Sequence, residues 1–253
     1  MSKITGERVS TGEGGFNPTF QRHVAAYRLC APLLPREGRV LDLGCGVGHS
    51  FGELAPRESV GVDLDPDALA GQARETHVAD MRDLPFADAS FASVLSVQSI
   101  EHVPDAQRVF AEVRRVLKPG GVAVFVTPNR LTFGRPDEII DPYHFVEYDP
   151  DELRDAAAPA FGGRVEVQGI FGSAAYEALW AREHARMDRL LALDRLKLRR
   201  RLPRGVLAFA YDTVLRRTRG EADAASAAIT PGDFRLGTDG LERAMDLVAI
   251  CRA

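Results

Sequence analysis

This sequence has few cysteines and no long apolar run. Its three cysteines, Cys30, Cys45 and Cys251, are too few and too scattered for a disulfide scaffold. No stretch approaches the ~18 consecutive apolar residues of a membrane-spanning helix, and the N-terminus lacks the apolar core of a signal peptide. These absences predict a cytoplasmic protein without a membrane span.

Lysine is also rare, since only three of the 32 basic residues are lysine. The composition is otherwise that of a globular protein, with 45% apolar residues, 27% charged residues and a net charge of −4. Disordered, collagen-like and low-complexity classes are therefore excluded. A chain of 253 residues without an internal repeat has room for one α/β domain or two small ones.

Short apolar runs alternate with helical patterns along much of the chain. The runs are rich in Val and Leu and apolar on both faces, as in strands that helices cover on both sides. The pattern predicts strands at residues 40–43, 59–62, 92–95, 122–126, 164–170 and 244–251, with a further short strand before Asp80. We therefore expect an α/β, Rossmann-like, doubly wound and mostly parallel sheet of seven strands.

The remaining segments are arranged around this sheet. Residues 1–17 are rich in glycine and are interpreted as a mobile arm that orders over a ligand, or as a frayed terminus. Residues 173–228 hold one or two long helices, broken near Pro203, and are predicted to form a helical cap inserted before the last strand. The whole chain, residues 1–253, is thus predicted to be a single domain.

Three glycines, Gly44, Gly46 and Gly48, lie at alternate positions between the first strand and a helical pattern. Such a loop lets a ligand approach the backbone and directs N–H groups at it, which predicts a bound nucleoside. The pyrophosphate-binding fingerprint needs its third glycine one position later, where His49 stands. That departure counts against NAD or FAD.

Acidic residues follow the next two strands. Asp63 stands at the carboxyl end of the second strand, where it can accept hydrogen bonds from both hydroxyls of a ribose. Asp80 follows the third strand and could accept from an adenine amino group while Met81 packs on the ring. Each aspartate alone is typical of a helix cap or a turn, but their order and spacing together favour a nucleoside site.

These motifs resemble the class I S-adenosylmethionine-dependent methyltransferases, in their small-molecule branch. The resemblance covers about residues 23–128 and lies in the segments 40–48, 61–65, 78–86, 91–102 and 117–127. It implies S-adenosylmethionine as cofactor and S-adenosylhomocysteine as product, with His23 as an alternative to Tyr27 at the methionine carboxylate. The implied cofactor-binding residues are Tyr27, Asp42, Gly44, Gly46, Gly48, Asp63, Leu64, Asp80, Met81, Ser96 and Gln98.

Methyl transfer to a hydroxyl needs a group that removes its proton or a metal that acidifies it. Two histidine-containing clusters follow the fourth and fifth strands, at the sheet edge where α/β proteins bind ligands. They suggest His144 as the general base, with Glu101 and His102 as further catalytic candidates. A histidine that only anchors a loop is the alternative for His144, and a role in positioning the cofactor loop is the alternative for His102.

Some members of the family carry a Glu-x-x-Glu-His motif, which holds a divalent cation together with a later histidine. Here Gln98 replaces the first glutamate. Glu101, His102 and His144 remain as candidate metal ligands, a nitrogen-rich set that suits Mg²⁺ poorly but does not exclude it. A magnesium-dependent reaction is therefore the alternative to a metal-free base.

A basic surplus is concentrated in the helical insertion. Residues 186–219 contain eleven basic and three acidic side chains, a local charge of +8, so the rest of the chain carries −12. An anionic acceptor, a nucleic acid or a membrane surface could face such a segment, and a solvated helix face or a homodimer contact is the simpler explanation. Base-modifying enzymes carry an Asn/Asp-Pro-Pro-aromatic motif where residues 96–99 read Ser-Val-Gln-Ser, so no nucleic-acid partner is expected.

The preferred function is O-methylation of a small molecule. Residues 142–145 and 241–252 resemble actinobacterial enzymes that methylate sugars. That resemblance implies a sugar or oligosaccharide acceptor, such as the precursor of a methylated mannose or glucose polysaccharide. The alternatives are a natural-product or other O- or N-methyltransferase, a protein that binds S-adenosylmethionine without catalysis, and an NAD-linked oxidoreductase.

Overall fold

The computed structural model describes residues 17–133, 138–192, 194, 199, 202–218 and 224–253. Within this part of the chain, eight strands form one sheet in the order β3-β2-β1-β4-β5-β8-β6-β7. The strands are β1 Val40–Leu43, β2 Ser59–Asp63, β3 Thr76–Val78, β4 Phe91–Val97, β5 Leu117–Pro128, β6 Val165–Gly172, β7 Phe234–Gly237 and β8 Asp246–Arg252.

The order of the strands reverses between β1 and β4. Strand β1 pairs in parallel with β2 on one side and with β4 on the other. Strands β3 and β5 extend the parallel part, and β8 then runs antiparallel between β5 and β6. Ligands of open α/β sheets bind at the carboxyl ends of the strands beside such a reversal. The edge formed by the ends of β1, β2 and β4 is therefore where a site is expected.

The predicted α/β class and the doubly wound, mostly parallel sheet are confirmed. The strand count is eight where seven were predicted. The additional strand, β7, is a four-residue edge strand of sequence Phe-Arg-Leu-Gly, which is too short to give a periodic signal. The sequence had suggested that the helical insertion directly precedes the last strand. Instead, β7 lies between the insertion and β8.

Helices cover both faces of the sheet. They are α1 Asn17–Cys30, α2 Pro66–Leu69, α3 Ala106–Val116, α4 Arg130–Phe133, α5 Pro150–Phe161, α6 Ala174–Ala192, α7 Arg204–Thr218 and α8 Ala224–Ala227. Along β5, Ala123 and Phe125 join the core beneath α3 and α5, whereas Val122 and Val124 join the core beneath α1 and α6. Successive side chains of a strand point to opposite faces, so apolar residues on both faces bury β5 from Gly121 to Pro128.

The helical insertion consists of α6, α7 and α8, and α7 begins directly after Pro203, where a break was predicted. Residues 193, 195–198, 200–201 and 219–223 of this region lie outside the described residues, as do residues 1–16 of the predicted arm. Asn17, the last residue of that arm, begins α1 instead, and its side-chain amide donates to the carbonyl oxygen of Ser226 at 3.1 Å. No helix in the described ranges combines the length and hydropathy that crossing a bilayer requires.

Candidate functional site

The glycine loop lies at the carboxyl end of β1. Gly44 and Gly46 have φ angles of +73° and +53°, in the left-handed region that favours glycine. A Cβ atom on Gly44 would also lie 2.4 Å from Oγ of Ser99, so no larger residue fits there. A Cβ atom on Gly46 would meet nothing within 4 Å, and this open space is part of a cavity. The loop is thus shaped to let a ligand lie against its backbone.

The cavity has a volume of about 340 Å³ and spans the edge formed by β1, β2 and β4. Ten of the predicted site residues line it, including His23, the alternative to Tyr27: His23, Tyr27, Gly44, Gly46, Asp63, Leu64, Asp80, Met81, Gln98 and His102. The predicted residues that do not line it are Asp42, Gly48, Ser96, Glu101 and His144. The geometry therefore brings most of the predicted cofactor set to one wall and separates it from His144.

Asp63 ends β2 and holds the glycine loop in place. Its Oδ2 atom accepts a hydrogen bond from the Gly46 N–H at 2.8 Å, and its Oδ1 atom accepts one from the Asp65 N–H at 2.9 Å. Two backbone donors thus fix the plane of a half-buried carboxylate at the cavity wall. A carboxylate has about four lone-pair positions, so acceptor capacity remains for a ligand diol.

Asp80 and Met81 lie in the turn after β3. The carboxylate of Asp80 accepts hydrogen bonds from Arg82, with Nη2 at 2.6 Å from Oδ2, and this contact lowers the pKa of Asp80. Asp80 is therefore anionic and oriented at neutral pH. Met81 is partly buried against the core and turns apolar surface to the cavity, which suits a flat ring.

Asp42 is fully buried beneath the loop. The hydroxyl of Tyr27 donates to its Oδ1 atom at 2.8 Å, and Nη2 of Arg74 lies 2.7 Å from its Oδ2 atom. Burial raises the pKa of Asp42, and the hydrogen bond from Tyr27 and the charge of Arg74 oppose that rise. The contacts of Asp42 thus join α1, β1 and the segment before β3, and they fix the position of Tyr27 at the cavity wall.

A second cluster follows β4 and β5. Nδ1 of His144 lies 2.9 Å from Oε1 of Glu147, and both side chains are buried. Burial lowers the pKa of His144, but the hydrogen bond that its Nδ1–H donates to Glu147 and the charges of nearby carboxylates outweigh it, so the net shift is upward. The His144 ring lies 5.0 Å, centroid to centroid, from His102, which lines the cavity. The cluster therefore places a basic imidazole one ring away from the cavity wall.

Glu101 is completely buried beside these histidines. Its Oε2 atom accepts from the Thr127 hydroxyl at 2.9 Å, and its Oε1 atom has no hydrogen-bond partner among the described residues. One ligating atom from each of Glu101, His102 and His144 lies within 4.8 Å of the other two. The predicted metal-ligand set is thus close enough to share one ion.

Several site residues were not found from the sequence. Glu147 could have been found, because it stands three residues after His144. The contact of Gln98 with Asp246, 2.7 Å from Nε2 to Oδ1, joins residues 148 positions apart and leaves no local signal. His49 entered the sequence argument only as a break in a fingerprint, yet its ring lines the cavity beside Phe20, at 5.2 Å between centroids.

Known proteins resemble the part of the chain that builds this site. A family model described as a methyltransferase domain matches residues 41–125. A probable S-adenosylmethionine-dependent methyltransferase of Mycolicibacterium smegmatis is 36% identical over 189 residues, which cover 71% of this chain and 72% of that protein. A probable S-adenosylmethionine-dependent methyltransferase of Mycobacterium tuberculosis is 36% identical over 177 residues, which cover 66% of this chain and 64% of that protein.

A solved structure supports the fold assignment. It is described as an S-adenosylmethionine-dependent methyltransferase, possible histamine N-methyltransferase, from Thermotoga maritima. It aligns with a TM-score of 0.58 over 94% of this chain and 91% of that chain, at 18% identity. At that identity the likeness concerns the fold alone.

Proposed function

The chain belongs to the S-adenosylmethionine-dependent methyltransferases, and we propose that it methylates a hydroxyl oxygen of a small molecule with His144 as the general base. The observation that carries this proposal is the buried His144–Glu147 pair, one ring away from the cavity wall. We propose a sugar or oligosaccharide as the acceptor, such as the precursor of a methylated mannose or glucose polysaccharide. The resemblance of residues 142–145 and 241–252 to sugar-methylating enzymes supports that choice.

The cavity fits the cofactor of the family. S-adenosylmethionine, when bound, supplies a methyl carbon on a positively charged sulfur, and S-adenosylhomocysteine remains after transfer. In the proposed arrangement Asp63 accepts from the ribose hydroxyls, while Asp80 and Met81 recognise the adenine. The open face of Gly46 admits the methionine part, and Tyr27 is held beside it by Asp42.

His144 is proposed to take the proton from the acceptor hydroxyl. Its Nδ1 atom faces Glu147, and in this proposal Nε2 receives the proton. A raised pKa makes the imidazole a stronger base, and the anionic Glu147 stabilises the imidazolium that forms. Because the displacement is in line, holding the acceptor near attack distance contributes the rest of the rate enhancement.

Aromatic side chains beside His144 form a proposed acceptor wall. The Phe133 ring lies 5.5 Å from the His144 ring and 5.9 Å from the Trp180 ring. The guanidinium of Arg22 lies 5.3 Å from the centre of the Trp180 ring. Small-molecule pockets combine such aromatic surfaces with a few polar groups, and the apolar face of a sugar ring can pack on them.

A metal-assisted reaction is the second candidate. Two observations favour it: the closeness of Glu101, His102 and His144, and the buried Oε1 atom of Glu101 that lacks a hydrogen-bond partner among the described residues. Two imidazole nitrogens and one carboxylate suit Mn²⁺ or Fe²⁺ better than Mg²⁺. A cation held there would lower the pKa of a hydroxyl that binds it.

Trp180 gives a direct screen for the acceptor, because it is the one tryptophan in the sequence. Candidate sugars are added to the full chain in the presence of S-adenosylhomocysteine, and the fluorescence of Trp180 is followed. Sugars that change it are then tested for methyl transfer with wild type and His144→Ala. Turnover by wild type and its loss in His144→Ala support the proposal, and equal turnover in both contradicts the assigned base.

A further inference from the structure

The large exposed apolar side chains of the described residues fall into two groups along the chain. Among the residues that the structure describes, two of the large exposed ones, Leu64 and Val78, lie near the cofactor cavity. The others lie in the stretch of the chain that runs from α4 through α7: Leu131, Ile139, Phe145, Leu202, Val206 and Phe209. This second group lies on α4, on the loop that carries His144 and on the helical insertion. None of its members has a role in the proposed chemistry.

Helix α7 presents the most exposed of these side chains. Phe209 is 76% exposed and Val206 is 50% exposed. The two residues are three positions apart, so they share one face of the helix. Leu207 and Tyr211, on the other side, are half-buried. Helix α7 therefore rests on the protein by one face and turns an apolar face outward.

The inner face of α7 is attached to the loop that carries His144. The Tyr211 hydroxyl donates to Oδ2 of Asp141 at 2.8 Å, and the guanidinium of Arg204 lies 4.2 Å from the centre of the Phe145 ring. The His144 N–H in turn donates to the carbonyl oxygen of Asp141 at 3.2 Å. The exposed face of α7 is therefore coupled, through these contacts, to the segment that holds the proposed base.

The charge of the surrounding segment indicates what covers this face. Residues 186–219 carry +8, whereas the rest of the chain carries −12. A two-fold contact of this face with its own copy would bring two +8 segments together. Helices that lie in a membrane interface combine exposed apolar residues with Arg or Lys, and each basic residue is attracted to anionic lipid.

We propose that α7 docks on the surface of an anionic lipid bilayer, with Phe209 and Val206 inserted among the headgroups and with the positive charge of residues 186–219 attracted to lipid phosphate. This docking brings the His144 loop to the bilayer surface. It does not depend on the identity of the acceptor or on the base.

Vesicle sedimentation tests the proposal. The full chain is centrifuged with vesicles of phosphatidylcholine that contain phosphatidylglycerol, and with vesicles of phosphatidylcholine alone. We expect binding to the anionic vesicles only, weakened by high salt. Phe209→Ser combined with Val206→Ser should reduce the partition at least about tenfold, because two apolar side chains no longer leave water. Val78→Ser, at a side chain 57% exposed elsewhere, is the matched control and should bind like wild type.

Three outcomes overturn the proposal. The first is the absence of binding to anionic vesicles, and the second is binding that the α7 double variant leaves unchanged. The third is a different occupant of this face of α7. It would be a second copy of the chain, if the chain forms a dimer that the double variant dissociates, or RNA, if an oligonucleotide binds while the vesicles do not. The S-adenosylhomocysteine-induced rise in Tm, measured for each variant, shows that all chains compared are folded.

Discussion

The Nδ1 atom of His144 lies 2.9 Å from the Oε1 atom of Glu147, and the two buried side chains form a pair three residues apart. The pair stands on the segment between β5 and α5, whereas the cavity is built mainly by loops after β1, β2, β3 and β4. The groups proposed to bind the cofactor and those proposed to take the acceptor proton are thus carried by different elements. Variants in one set are expected to leave the other intact.

Removing the base should affect turnover alone. We expect His144→Ala to lower kcat by about a hundredfold or more, since a positioned general base contributes 10²- to 10⁴-fold. Glu147→Gln keeps the shape but not the charge, so it should cause a smaller loss of kcat. S-adenosylhomocysteine affinity, measured by calorimetry, should be unchanged in both. Full turnover by His144→Ala would remove His144 from the mechanism.

If His144 acts without a metal, the rate of methyl transfer should not depend on divalent cations. We expect the rate of methyl transfer to be the same before and after dialysis against EDTA, and with added Mg²⁺ or Mn²⁺. The measurement is the initial rate of S-adenosylhomocysteine formation with an acceptor found by the Trp180 screen. Loss of activity in EDTA and recovery with either cation would support the second candidate, with Glu101, His102 and His144 as ligands.

The buried Asp42–Arg74 pair predicts a large stability effect. Arg74→Ala leaves the Asp42 carboxylate without its cation at a fully buried site, which should lower the free energy of unfolding by about 3–5 kcal/mol. Arg74→Ala combined with Asp42→Asn should recover part of that loss. The control is Arg39→Ala, whose more exposed ion pairs with Glu58 and Glu75 are worth about 1 kcal/mol or less. Urea denaturation measures all three, and equal losses would contradict the account.

Glu112 predicts a pH-dependent contribution to stability. The hydrogen bond from Arg115 lowers the pKa of Glu112, so the folded state favours the carboxylate more than the unfolded state does. Its stabilising effect is therefore present above the unfolded pKa and disappears as the pH falls through the folded pKa. Glu112→Gln should have a lower Tm than wild type at neutral pH, and the gap should close as the pH falls below the ordinary glutamate pKa of 4.5. A gap that stays constant would contradict this.

The sequence predicted local features better than distant ones. The glycine loop and Asp63 were predictable because strand, loop and acidic residue follow one another within two dozen positions. The partnership of Gln98 with Asp246 was not, because it depends on where β8 enters the sheet. The edge strand β7 was missed because four residues that pair on one side need little apolar character. The aromatic wall joins α4 to α6, whose contact no local pattern records.

The most direct test of the central claim is calorimetric binding of S-adenosylhomocysteine to wild type, Asp63→Ala and His144→Ala. We expect wild type and His144→Ala to bind alike, near micromolar, which corresponds to about −8 kcal/mol. Asp63→Ala should bind at least about tenfold more weakly, because it loses charge-assisted hydrogen bonds to the ribose. Unchanged affinity in Asp63→Ala, or no binding to wild type, would contradict the assignment of this cavity to the cofactor.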